Sequence, residues 1–269
     1  MLRSQEADTI RQDNHTSLYE VYDSYFEVVP ADTQELLEKA YRLRYQVYCL
    51  ENAFEDPADN PQGLETDEYD VRSKHSLLVH RESGIVAGTV RLILPDLADP
   101  LAFPAVLTSE ALGERGRQYL PAATTAEISR FSISKEFRRR IEDGAWPAIY
   151  DGQSDRSGVN RRILPHITLG LMRALVQMSV ENDITHWCAT VETPLLRLLK
   201  RLGIHFHAVG PLVNYHGWRQ PVYNALENLS WTVYDERPEV WDVITAKGGL
   251  LPLPEPRTYW NGAGRLRAI

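Results

Sequence analysis

Leu36, Ala40, Leu43, Val47 and Leu50 recur at alternating spacings of four and three, which predicts a helix capped at Asp32 or Thr33. Just before it, Tyr25–Pro30 reads as a short strand. Arg44 and Tyr48 lie four apart on this helix, off its main apolar stripe, where they can present a cation and an aromatic ring to a cleft. The run 54–70 is rich in Glu, Asp, Asn, Pro and Gly and predicts a long mobile loop, a class of segment that is often functional. Two apolar runs, 76–80 and 85–94, flank Arg81-Glu82-Ser83-Gly84 and predict a hairpin turned at Gly84. Prolines at 95, 100, 104 and 121 mark an irregular excursion over 95–123, followed by a strand at 124–134. A second excursion, 135–162, carries Arg138, Arg139, Arg140, Arg156, Arg161 and Arg162. Leu164, Ile167, Leu171, Leu175 and Met178 predict an amphipathic helix ending near Asn182, and 185–191 reads as a strand. Thr193-Pro194 opens another helix that Gly203 stops, and 204–209 is expected to be a last strand.

This order is mixed α/β, with an antiparallel hairpin half and a half built from crossovers. The expected organisation is a loose arm over 1–20, one domain over 21–235 and a C-terminal extension over 236–269.

Composition changes the picture only by exclusion. The 269 residues, 43% hydrophobic and 25% charged, can bury a sizeable core. A net charge of -8 argues against a general nucleic-acid binder, because phosphate contacts need a basic surface. No apolar run approaches a membrane span, and the first residues have no signal-peptide core. Cys49 and Cys188 sit far apart in apolar runs, as reduced buried thiols do, which suits the cytoplasm.

The chemistry concentrates in the strand at 124–134, where Glu127, Ser129 and Arg130 interrupt an otherwise core-like run. A buried carboxylate and guanidinium are costly unless paired or used. Strict alternation puts residues three apart on opposite faces, so Glu127 and Arg130 share a pocket only if a bulge interrupts the strand near Ser129. Such a bulge also turns a backbone N–H near Phe131 or Ser132 inward, as an oxyanion donor. Arg91 lies in the preceding strand, where an unpaired cation is equally expensive.

The order of elements resembles the GNAT acyltransferase fold, a splayed mixed central sheet flanked by helices with a pantetheine arm in the gap. Arg44-Tyr-Gln-Val-Tyr48 with Phe54, then Asp67-Glu-Tyr-Asp70, Gly88-Thr-Val-Arg91 and Glu127-Ile-Ser-Arg130-Phe131, resembles the acyl-homoserine-lactone synthase pattern in order and spacing. Further along, Arg161-Arg162, Pro165, Glu192-Thr-Pro-Leu-Leu-Arg197 and Gly210 to Pro221 resemble the branch of that superfamily associated with PEP-CTERM/exosortase systems, related to N-acyl amino acid synthases. Phe54 stands where Trp is usual, and the arginine-rich excursion is an addition. Together they point to amide formation and away from a lactone product.

The resemblance implies an enzyme that moves a fatty acyl group from a thioester to a small amine or amino acid. Glu127 is then the base, with Ser129 and Arg130 beside it. Arg44, Arg91 and Arg130 would hold a substrate carboxylate, while Asp67 and Asp70 would meet an ammonium or those arginines. Tyr48 and Phe54 take the aromatic places. Coenzyme-A enzymes of this fold carry a Gly-rich turn at the helix after the central strand, and Arg161 to Thr168 has no glycine. The donor expected is therefore phosphopantetheine on acyl-carrier protein, docked by Arg138, Arg139, Arg140, Arg161 and Arg162. The rivals are an acyl-homoserine-lactone synthase using S-adenosylmethionine, which makes a quorum-sensing autoinducer, and a non-catalytic acyl-carrier or lipid-binding module. His205, His207 and His216 lack carboxylate or cysteine company at ligand spacing, so no metal site is expected.

Overall fold

The hairpin around Gly84 forms part of a mixed sheet in the computed structural model, which describes residues 17–142 and 159–253 with two short strands, Tyr259–Trp260 and Leu266–Arg267. Gly84 turns at φ +67°, a conformation that costs glycine nothing. The strands are β1 Phe26–Pro30, β2 Ser73–His80, β3 Val86–Ile93, β4 Thr125–Ile133, β5 His186–Glu192, β6 His207–Ala208, β7 Val213–Asn214 and β8 Trp218–Ala225. They form an eight-stranded sheet in the order β1-β2-β3-β4-β5-β8-β6, with β7 also on β8. Its neighbours pair antiparallel except β4 and β5, which run parallel.

One face is covered by α6, Val159–Glu181, backed by α1 Leu18–Tyr25, α8 Leu226–Glu236 and α9 Pro238–Thr245. Leu171, Leu175 and Met178 of α6 pack there against Leu78, Val90, Leu92 and Ala126 of the sheet. Helix and sheet approach so closely that a Cβ on Gly170 would lie 2.5 Å from a Leu78 methyl. The segment beyond residue 236 joins this core, with Val240, Val243 and Ile244 fully buried.

On the other face, α2 Gln34–Tyr45 packs Ala40 against Ala31 and Leu77. Beside it, α3 Pro104–Thr108 and α4 Glu110–Tyr119 close a small cluster of Ile93, Phe103, Leu112 and Cys188. The helix α5, Lys135–Glu142, follows β4, and α7, Thr193–Arg201, follows β5. Among the described residues, no helix is long and apolar enough to cross a membrane.

Several expectations are corrected. The excursion at 95–123 contains α3 and α4. Few apolar residues and two helix-weakening glycines, Gly113 and Gly116, hide α4 from its sequence. The helix expected to run to Leu50 changes at Gln46 into a π-helical turn, Gln46–Glu51, which buries Tyr48 and Cys49 and leaves Leu50 63% exposed. The strand β8 was not expected, because Pro221 breaks its pattern. There the proline carbonyl accepts from Val209 N–H at 2.9 Å and no donor is needed. Of the expected strand 204–209, His207–Ala208 forms a strand and Val209 adds its backbone N–H bond to Pro221. The run 54–70 is held in place, with Asn60 and Glu65 buried and Glu65 N–H donating to the Tyr41 carbonyl at 3.2 Å.

Candidate active site

The pairing of β3 with β4 slips by one residue. Gly88 and Thr89 face Ile133 and Ser132, yet Arg91 faces Ser129, so β4 carries one extra residue between. Arg130 occupies that bulge at φ +49°, in the left-handed region that side chains other than glycine rarely adopt. The bulge resets the alternation. Ile128 and Phe131 pack toward the α6 core, while Ser129 and Arg130 both turn to the opposite face. The interruption expected near Ser129 is therefore present.

On that opposite face lies a buried ionic layer. Arg44 donates from Nε to Glu65 at 2.6 Å and from both terminal nitrogens to Asp70, at 2.7 and 3.0 Å. Arg91 reaches Asp67 at 2.5 and 2.9 Å, Asp70 at 2.8 Å and the Ser129 hydroxyl at 2.9 Å. Arg130 reaches Glu65 at 2.8 Å, Asp67 at 3.0 Å and Glu55 at 3.3 Å, and lies over the Tyr48 ring at 4.8 Å. Arg44, Arg91 and Arg130 thus meet Glu55, Glu65, Asp67 and Asp70, leaving one carboxylate in excess.

The segment that supplies the acids is pre-shaped. Asp67 accepts from Tyr69 N–H, and Asp70 accepts from Asp67 N–H, a reciprocal cap on the short helical turn Glu68–Arg72.

Burial alone would raise the Glu65 carboxyl, but Arg44 and Arg130 outweigh it and hold it at about 2. Asp70 is likewise held low against burial, chiefly by Arg44. Burial, helped by Arg44, pushes the His75 imidazole down to about 3, so it packs there as a neutral ring. Glu55, the least enclosed by cations, is raised by burial.

The parallel ladder between β4 and β5 runs only from Thr125 and His186 to Glu127 and Cys188. Beyond that rung the strands part, and a cavity of about 130 Å³ opens between residues 128–131 and 189–192. Met172, Leu195, Leu199 and Phe206 supply its apolar lining, and Ser129, Arg130, Thr190, Glu192 and Arg219 its polar lining. Glu127 stands at the rung where the gap begins, only 2% exposed. Its carboxylate accepts from Ala105 N–H at 2.7 Å, and burial pushes its pKa up to about 7 despite that bond. Burial also raises the neighbouring Cys188 thiol, which stays protonated and is no nucleophile.

Comparison with known proteins matches residues 43–145 to the family described as acetyltransferase (GNAT) domain. An acyl-homoserine-lactone synthase of Vibrio anguillarum is 28% identical over 71% of this chain and 83% of its own. One of Aliivibrio fischeri is 27% identical over 62% of this chain and 73% of its own. The chain is a GNAT-fold acyltransferase. Its architecture is similar to that of TofI, crystallised in a ternary complex with an inhibitor and MTA. The TM-score is 0.50 at 18% identity, over 80% of this chain and 99% of that one.

In this acyltransferase, Arg44, Asp67, Asp70, Arg91, Ser129 and Arg130 converge in one layer, and Tyr48 joins them through the Arg130 guanidinium. Arg44 is wholly enclosed, so it acts by fastening Glu65 and Asp70. Phe54 stacks on His216, 5.6 Å between centroids, close to Tyr48. Phe131 lines the gap, and Ser132 is buried with its hydroxyl unpartnered. On α5, Arg139 is exposed and Arg138 half-buried, whereas the side chains of Arg140, Arg161 and Arg162 lie outside the described residues.

Sequence reading missed Glu65, Glu55, His216 and Arg219. Glu65 and Asp67 alternate along an extended stretch, and that alternation was the available signal. His216 and Arg219 fall within the span Gly210 to Pro221, which in sequence carries a family resemblance and no site role. The other histidine pair is elsewhere, with His205 on Glu236 at 2.7 Å and His207 at the sheet edge.

Proposed function

We propose that this acyltransferase moves a fatty acyl group from the phosphopantetheine thioester of acyl-carrier protein to the amine of an amino acid or a related small amine. The observation that carries the reading is the parting of β4 from β5 immediately beyond Glu127, beside a pre-paired ionic layer. An extended thioester arm fits between two strands that no longer bond each other, and the acyl chain has Met172, Leu195 and Leu199 to meet.

In the reaction the neutral amine attacks the thioester carbonyl, the C–S bond breaks, and the amine proton passes through a water to Glu127 and on to the leaving thiolate. A carboxyl near 7 is matched to that task at neutral pH, since it is partly ionised and can both take and return the proton. The excess carboxylate in the ionic layer favours an acceptor that arrives as a cation.

Acyl-carrier protein as donor is supported by Arg138 and Arg139 at the exit of β4, with Arg140, Arg161 and Arg162 as further docking residues. The buried free thiols Cys49 and Cys188 fit a reducing cytoplasm. The PEP-CTERM/exosortase association belongs to this reading through its motifs alone.

The test is incubation with long-chain acyl-carrier protein and a pooled set of amines and amino acids, S-adenosylmethionine included, with products identified by mass. An open N-acyl amino acid is expected, and Glu127→Gln should slow its formation by about 10²–10⁴-fold. Unchanged transfer by that variant removes the base assignment. An acyl-homoserine lactone would establish the second reading, which the names of the Vibrio and Aliivibrio relatives favour. Transfer from acyl-CoA alone overturns the donor. No transfer across the whole set points to a binding module.

A further inference from the structure

The three arginines expected to hold a substrate carboxylate have little left to give. All three guanidinium nitrogens of Arg44 are bonded to Glu65 or Asp70 inside the protein. Those of Arg91 are bonded to Ser129, Asp67 and Asp70. Arg130 meets Glu55, Glu65 and Asp67. A substrate carboxylate placed on Arg44 or Arg91 would displace an internal partner, and Nε and Nη2 of Arg130 are already committed to acids.

Arg219 differs. It lines the gap between β4 and β5, and its side chain is 13% exposed. A guanidinium offers five N–H donors. Among the described residues, the Arg219 side chain makes one hydrogen bond, a long contact of 3.3 Å from Nη2 to the exposed Glu192, and its Nε is buried without a partner. The Arg219 guanidinium lies 5.6 Å from the centre of the Phe54 ring. His216 stacks on that same ring at 5.6 Å, and its Nδ1 is also buried without a partner. From His216 the contacts run to Glu55 at 3.4 Å and on to Arg130 at 3.3 Å. Arg219 therefore belongs to the side of the gap that carries the ionic layer, where an acceptor meets carboxylates, and not to the apolar lining of the acyl chain.

We propose that Arg219 binds the carboxylate of the acceptor, so that the substrate is an α-amino acid and not a simple amine. This rests on the acyl-acceptor reading above. A zwitterion then matches the site at both ends, its ammonium toward the excess carboxylate and its carboxylate on the unsatisfied guanidinium.

The experiment compares the full-length wild type with Arg219→Gln and Arg219→Lys, using acyl-carrier protein thioester and two acceptor pools: the proteinogenic amino acids and their α-carboxamides. Arg219→Gln should raise KM for the amino acids about 10- to 100-fold, while the carboxamides, which present no anion, shift by less than about twofold. Arg219→Lys should fall between, keeping the charge but not the fork. Equal losses on both pools would make Arg219 a structural residue and overturn the proposal. So would an effect confined to KM of the thioester, which would place the donor's phosphate there. If the wild type acylates neither pool, the reading of function fails on its own, and saturation-transfer NMR with the same pools decides this one. Selective binding of amino acids that Arg219→Gln abolishes supports it, and indifference between the pools or between the proteins ends it.

Discussion

On one face of β4, Ala126, Ile128 and Phe131 meet α6 through side chains that carry no charge. On the other, Ser129 and Arg130 enter a layer in which three guanidinium groups share four carboxylates. The apolar face is held by area, so damage to it is graded with the atoms removed and indifferent to pH. The ionic face is held by pairing, and removal of any one partner strands the others in a place from which water is excluded. One strand thus combines a tolerant surface with an intolerant one, and the intolerant surface borders the gap.

The sharpest way to break that contrast is Glu65→Ala, which leaves Arg44 and Arg130 without their shared counter-ion and should cost about 3–5 kcal/mol in urea unfolding. The wild-type carboxyl has its pKa lowered from 4.5 to about 2, so its contribution is complete above 4.5 and disappears as pH falls toward 2. The variant should lack that acid limb. A loss under about 1 kcal/mol would mean that the layer is not cooperative.

Leu175→Ala, on the apolar side, should cost about 2–5 kcal/mol, centred lower, and the same amount at pH 5 and pH 7. A pH-dependent loss there would erase the distinction between the faces.

Glu127→Gln has the opposite sign. Below pH 4.5 the carboxyl is protonated in both folded and unfolded chains and costs nothing. Between 4.5 and about 7 it ionises only when unfolded, so the folded state is progressively penalised, and above 7 the penalty is complete. The amide escapes this, and thermal melts at pH 8 should show a gain of about 1–3 kcal/mol that vanishes near pH 4. A variant less stable at pH 8 would show that the Ala105 bond outweighs the burial of charge. Smallest of the four, Ser129→Ala should cost about 1 kcal/mol, because Arg91 keeps both aspartates.

What was readable in the sequence follows the same division. The α6 face was legible from the periodicity of Leu164 to Met178, since a helix packed on a sheet writes its pattern locally. The bulge was legible because Glu127 and Arg130 were required to share a face that plain alternation denies them. Glu65 was not, because its partners lie 21 and 65 residues away and its alternation with Asp67 is a faint mark in a loop full of acids. The π-helical turn was hidden too, since Leu50 continues the heptad-like spacing although the extra residue in the turn has already rotated it outward. Arg219 was concealed by β8, a strand whose own proline argued against it.

The bulge at Arg130 puts two unrelated demands on a single codon. A backbone at φ +49° suits glycine first and asparagine next, whereas the layer beneath asks for a forked cation. A saturation library at this position should therefore give two different winners. Selection for heat resistance in the background of a weakened ionic layer should enrich the small turn-formers, and selection for product should return arginine alone.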